Sequence, residues 1–165
     1  MEQHYQFDVV ELLSPVAMGV PGKRTFFLII GQKEKWVRIW LEKYLLESLA
    51  MAIDQFLLNL SREHLNLERG SLSQSDALPK GFPSAELEVE EIGIGLDRRM
   101  ATLVFNVHGV GPKAAEHAEL QCLVNRTQLE KLAEQARKVV AAGRPICTIC
   151  GNPIDPSGHI CPGGN

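Results

Sequence analysis

Four side chains near the end of the chain have the types and spacing of a metal site. Cys147-x-x-Cys150 is followed by His159-x-Cys161. The first pair forms a knuckle, and Gly151 directly after it permits the turn that must follow. Asp155-Pro156-Ser157-Gly158 has Asp, Pro and Gly at the positions a type I turn favours, which folds the second pair back onto the first. His159 and Cys161 are two apart, so in extended chain they face the same side. Three thiolates and an imidazole converging from two sides suit a tetrahedral Zn2+ ion. Four protein ligands leave no position for water or substrate, so the expected zinc is structural.

Three other chemistries compete for these residues. A redox Cys-x-x-Cys needs its thiols at a helix N-terminus. Cys150 instead runs into Gly151-Asn152-Pro153, which starts no helix. A disulfide is disfavoured in a reducing compartment. An iron-sulfur cluster takes four cysteines as a rule, and only three are near. The fourth cysteine, Cys122, shares a strand face with Leu120 and Val124 and reads as a buried apolar residue.

No other cluster carries a mechanism. His4, His64, His108 and His117 stand alone in the sequence, outside any glycine-rich phosphate loop, nucleophile elbow or His-Glu-x-x-His. Glu86, Glu88 and Glu90 alternate along one strand face, which solvation alone predicts. Arg24, Arg98 and Arg99 lie near two hairpin entries, where an anion is the only specific alternative to solvated charge. That alternative corresponds to an enzyme or binding protein for a small molecule or a phosphate ligand. The ordinary reading of each residue is the stronger one, which leaves no catalytic residue to nominate.

Charge and composition narrow the classes further. Net charge is -3, from 17 basic and 20 acidic residues, too small to select a polyanionic partner. From Pro145 to Asn165 the only formal charge is Asp155, which argues strongly against a nucleic-acid role for the tail. Met1–Tyr5 carries neither a basic nor an apolar leader region, and no apolar run reaches membrane length, so the expected compartment is the cytoplasm.

The elements that must position these residues follow from periodicity. Tyr5 to Leu12, Val16 to Val20, Thr25 to Ile30 and Trp36 to Leu41 read as strands, with Ser14-Pro15 as a break and the last two joined as a hairpin. Leu46, Leu49, Ala50, Ile53, Leu57 and Leu60 form one helical stripe, predicting a helix over residues 43–61. Residues 62–84 lose all periodicity and read as a mobile loop. Leu87 to Leu96, Ala101 to Val107 and Glu119 to Val124 are strands. A second helix over 126–142 follows, with Asn125 as N-cap, Gln128 completing a capping box and Gly143 as its stop. Val37 to Leu41 aligns with Leu120 to Val124 at an offset of 83, as do Leu46, Leu49 and Ala50 with Leu129, Leu132 and Ala133. The expectation is therefore an α+β fold of duplicated β-β-β-α units. It has an antiparallel sheet, two helices on one face and a pseudo-twofold between the halves. One domain covers 1–143, with halves 1–61 and 85–143, and a zinc tail covers 144–165.

Surplus apolar area points to a function. Trp36 and Trp40 share one face of their strand while Val37, Ile39 and Leu41 fill the other, so both faces need cover. The first helix carries Leu45, Ala52 and Phe56 beyond its core stripe, with Met51 beside them. Such patches mark protein partner sites, here a homodimer or a hetero-partner.

The tail Gly143-Arg144-Pro145-x-Cys147-x-x-Cys150-Gly151-x-Pro153-x-Asp155-Pro156-x-Gly158-His159-x-Cys161-Pro162 resembles that of the bacterial domain-of-unknown-function 3090 family, as do Gly19 to Leu28 and Leu41-Glu42-Lys43. The resemblance covers nearly the whole chain. It departs after Cys161-Pro162, where Gly163-Gly164-Asn165 replaces a basic end. Genes of the family often lie beside those of a histidine-phosphatase-like and a lipid-kinase-like protein. The resemblance thus implies an adaptor acting with a phosphatase- or kinase-like partner.

The metal reading makes a direct prediction. The purified chain should contain one equivalent of zinc, lost in Cys147→Ser and kept in Cys122→Ser. Binding energy at such sites is folding energy, on the order of 10 kcal/mol or more, so the tail should loosen with the metal. Zinc retained after loss of both Cys147 and Cys150 would refute the ligand set.

Overall fold

β-Branched and aromatic residues at alternating positions build the chain as two runs of strands, each closed by an amphipathic helix. The structure, a computed structural model, describes residues 3–20, 22–70, 78–142, 148–150 and 160–162. The first run is β1 (Gln3–Phe7), β2 (Leu12–Met18), β3 (Thr25–Gly31) and β4 (Trp36–Leu41), followed by α1 (Lys43–Arg62). The second is β5 (Ala85–Asp97), β6 (Met100–Gly109) and β7 (His117–Val124), followed by α2 (Arg126–Ala141).

All seven strands form one sheet in the order β1-β7-β6-β5-β4-β3-β2. β2-β3-β4 and β5-β6-β7 are antiparallel meanders. They meet through β4 and β5, which pair in parallel, and β1 joins β7 in parallel. The sheet is therefore mixed, not antiparallel as expected. The cause is α1: a helical crossover returns the chain to the end where β4 began, so the next strand runs the same way. The strand directions rule out a twofold axis normal to the sheet. An axis normal to the sheet would reverse strand direction and make β4 and β5 antiparallel. The two β-β-β-α units instead stand side by side with corresponding strands pointing the same way.

The link from β1 to β2 constrains the whole sheet. Only Asp8–Glu11 separate them, a stretch that spans at most about 17 Å. A flat sheet would put the two edges about 29 Å apart. The sheet must therefore twist and curl. Six neighbour steps of about 20–25° rotate one edge by about 120–150° against the other, which brings the end of β1 toward the start of β2. Hydrogen bonds pin the link there. Glu11 N donates to Gly31 O (2.9 Å), and Gln128 Nε2 of α2 donates to Val10 O (2.7 Å). α2 packs against β2, and Arg24 from the β2–β3 turn donates to Val139 O at the other end of that helix (3.1 Å).

Both helices lie on one face, in contact with each other, as expected. α1 buries Leu46, Leu49, Ala50, Ile53 and Leu60, and α2 buries Leu129, Leu132, Ala133, Ala136 and Val140. They close over inward strand residues such as Leu28, Ile39, Leu103, Phe105 and Leu120 in a single core. Arg137 bonds Asp54 across the helix pair (2.8 Å).

Pro15, expected to break a strand, sits inside β2 opposite Leu28. It is tolerated because β2 is an edge strand, where a missing N–H costs no ladder bond. β5 carries a bulge between Val89 and Glu91. Strict alternation would turn Ile92 and Ile94 outward; the extra residue resets the phase and places them opposite buried Phe105 and Leu103.

The expected capping box on α2 is complete. Gln128 N donates to Asn125 Oδ1, and Asn125 N donates to Gln128 Oε1, both at 2.9 Å. The stretch after α1 docks on this same helix end. Leu67 is buried, Glu68 N donates to Arg99 O (2.7 Å), and Arg126 N donates to Glu68 O (2.8 Å). Gly70 touches the Asn125 side chain so closely that a Cβ there would collide with it. The remainder of the expected 62–84 loop includes residues 71–77, which lie outside the described residues.

Asn125→Ala removes a cap and a docking wall together. It should lower unfolding free energy by about 1 kcal/mol or more, read as a reduced denaturant midpoint at unchanged slope. A midpoint equal to that of the wild type would mean the box carries no stability.

Candidate functional site

α1 carries more apolar surface than its core needs, and the sheet leaves that surface facing a gap. Leu45, Ala52 and Phe56 form a second stripe beside the buried one. With Leu49 they make one wall of a groove of about 480 Å³, whose other wall is Glu90, Glu91, Ile92 and Ile94 of β5. Ser48, Gln55 and Asn59 supply its polar rim, with Gln55 Nε2 donating to Asn59 Oδ1 (2.9 Å). That volume falls within the usual range of ligand sites, about 300–1,000 Å³.

The groove exists because β5 outruns its neighbour. β4 pairs with β5 only as far as Trp40 opposite Glu88. Beyond that point β5 has β6 on one side and α1 on the other. Among the described residues, no strand or backbone hydrogen bond occupies the α1 side of Glu90–Ile94. This is an open strand edge roofed by a helix. Of the residues lining it, Glu90 and Glu91 are charged and neither Lys nor Arg contributes.

The expected partner surface of Trp36, Trp40, Leu45, Ala52 and Phe56 is split in two. α1 covers the Val37, Ile39 and Leu41 face of β4, so side-chain alternation sends both tryptophans to the opposite face. There Trp36 is buried, and Trp40 is half-buried edge-on to Phe27 at 5.0 Å. Arg38 lies over Phe27, Trp36 and Trp40 at 5.1, 6.0 and 5.7 Å and bonds Glu86 at 2.7 Å. A guanidinium stacked on rings is a favourable contact in its own right, so this face largely satisfies itself.

Arg24, Arg98 and Arg99, read as solvated charge with an anion as the alternative, lie in separate places. Arg24 stacks on Phe26 at 5.3 Å and bonds Val139, near the C-terminus of α2. The Arg99 carbonyl accepts from Glu68 N, and the Glu68 carbonyl accepts from Arg126 N at the N-terminus of α2. The two helix ends are about 20 Å apart. Arg98 is exposed, with a left-handed φ of 57° at the β5–β6 tip. Glu86, Glu88 and Glu90 line an exposed strand face, as expected. His4 on β1 and His64 just after α1 are exposed, whereas His108 and His117 are cross-strand neighbours. Their pairing was not legible in sequence, because it depends on the β6–β7 register.

The four residues expected to bind zinc fall only partly within the described residues. Cys150 and Cys161 are half-buried, and Cys147 and His159 lie outside. Among the described residues no three metal-binding side chains converge on one point. The donor set remains chemically suited to zinc. No described helix is long and apolar enough to cross a membrane.

A family model described as "Protein of unknown function (DUF3090)" matches residues 5–161. No curated protein and no solved structure matches the chain.

Cys122 allows a check on the core. Burial pushes its thiol from 9.0 up to about 12, offset in part by a hydrogen bond with the Leu103 backbone. A thiol whose pKa rises on folding favours the folded state below its unfolded pKa. That contribution is lost as pH climbs from about 9 towards 12, so stability should fall across this window. In native Cys147→Ser/Cys150→Ser/Cys161→Ser protein, Cys122 should resist alkylation at pH 8 and react only after unfolding. Rapid native labelling would contradict its burial.

Proposed function

The chain belongs to the DUF3090 family, and on that premise we propose that it is a non-catalytic interaction protein, an adaptor whose α1–β5 groove receives an extended segment of a partner. The observation that carries this reading is the open edge of β5 lying inside an apolar groove. An extended segment would bond its main chain to that edge and place alternate side chains between Phe56, Ala52 and Ile92, the mode of β-strand addition.

The family resemblance suggests a phosphatase- or kinase-like protein as the source of that segment. The zinc tail, held by Cys147, Cys150, His159 and Cys161, acts in this reading as a structural closure of the C-terminal end, and the cytoplasm is its compartment. The side-by-side β-β-β-α units, with matching strand directions, support an origin by duplication. Asp54 and Arg137, which bond each other, sit at the offset of 83 found in sequence.

A photo-crosslinking side chain at Gln55 tests the groove. With the phosphatase-like and kinase-like neighbours co-expressed, it should attach to one short segment of one of them. Ala52→Arg should reduce that product at least about tenfold, as expected for an arginine filling the groove, while leaving the melting temperature unchanged. Crosslinks scattered over both proteins, or undiminished in the variant, would sink the proposal.

A further inference from the structure

β5, β6 and β7 lay a row of three chemistry-bearing side chains across the sheet face opposite the helices. Glu88 pairs with His108, and His108 pairs with His117. Directly opposed residues in antiparallel strands point to the same face, with Cβ atoms about 5 Å apart. The two imidazole centres are 6.2 Å apart.

The second nitrogen of each ring is already committed. His108 Nδ1 lies 2.8 Å from Gly109 O, and a carbonyl only accepts, so that nitrogen carries the proton. His117 Nδ1 lies 3.3 Å from the Glu90 carboxylate, which Glu90 reaches from the β5 bulge. Both rings in their neutral form therefore present Nε2 as a lone pair. This is how metal-binding histidines are held: the far nitrogen donates to a carbonyl or carboxylate, which fixes tautomer and ring orientation. Glu88 is exposed, and among the described residues no ion pair or side-chain hydrogen bond is recorded for it. It stands directly opposite His108, on the same face of the sheet.

We propose that His108 and His117, with Glu88 as third donor and Glu90 orienting His117, bind a divalent transition-metal ion on this face, separate from the cysteine-rich tail. Zn2+, Ni2+ or Cu2+ fits the imidazole and carboxylate donors. An ion at about 2.0–2.1 Å from both Nε2 atoms needs ring centres about 5–6 Å apart, a small closure from the observed spacing. The three side chains do not converge as they stand, so the ion itself must draw Glu88 inward. Three protein donors leave a coordination position for water, which distinguishes this site from a closed four-ligand one.

The test is Ni2+ titration of untagged full-length protein whose tail has first been loaded with zinc. Wild type should take up one more ion per chain than His108→Ala/His117→Ala. Glu90→Gln should weaken that uptake about tenfold through the lost orientation of His117. Cys147→Ser should leave the difference between wild type and the double histidine variant unchanged, which separates this site from the tail. Equal Ni2+ uptake by wild type and the double variant would overturn the proposal. So would a difference that vanishes in Cys147→Ser while circular dichroism shows the sheet intact.

Discussion

Asp8–Glu11 tie together two strands at opposite edges of the same sheet, and most of the architecture follows from how short that tie is. A seven-stranded sheet has no intrinsic reason to bring its edges near each other. Here the chain leaves β1 beside β7 and must begin β2 beside β3 within four residues. Twist supplies the rotation and α2 supplies the filling. Its first turn holds the tie through Gln128, and its last turn is held by Arg24. The capping box, the docked stretch around Leu67 and the Arg24 contact therefore serve one purpose, anchoring α2 where the edges converge.

What was legible in the sequence was local. The stripes of α1 and α2, the β3–β4 hairpin and the Asn125–Gln128 box each depend on residues a few positions apart, and periodicity or capping chemistry reports them directly. Pairings between distant strands leave no such trace. Nothing near β4 or β5 says that they will be parallel neighbours; the helix between them decides it. Pro15 misled for a related reason, since whether a proline breaks a strand depends on whether that strand is an edge. In β5 the consecutive Glu90 and Glu91 do announce a change of phase, visible to a reader who follows Leu87, Val89, Ile92 and Ile94 as the inward set.

The same division separates the candidate sites. Leu45, Ala52 and Phe56 could be singled out because a helix has a fixed period, but the strand that faces them could not. The tryptophans were grouped with them because composition records apolar excess without recording which face carries it. His108 and His117 are separated by the Gly109–Glu116 connection and meet only through the β6–β7 ladder. The tail is the opposite case. Its candidate ligands lie within 15 residues, Cys147 to Cys161, and spacing alone nominates them.

The open stretch of β5 has a second meaning. Sheet edges are where folded proteins begin to polymerise, because an unpaired row of amides will accept any strand offered. This sheet blunts its two outer edges by different means. β1 is only five residues long, and β2 carries Pro15 and lies against α2. The interior gap along Glu90–Ile94 is shielded by α1. Any event that lifts α1, whether heating or a helix-breaking substitution, would bare an apolar, β-prone segment. The same groove would then set the solubility limit of the protein, and self-association should start there before the rest of the sheet opens.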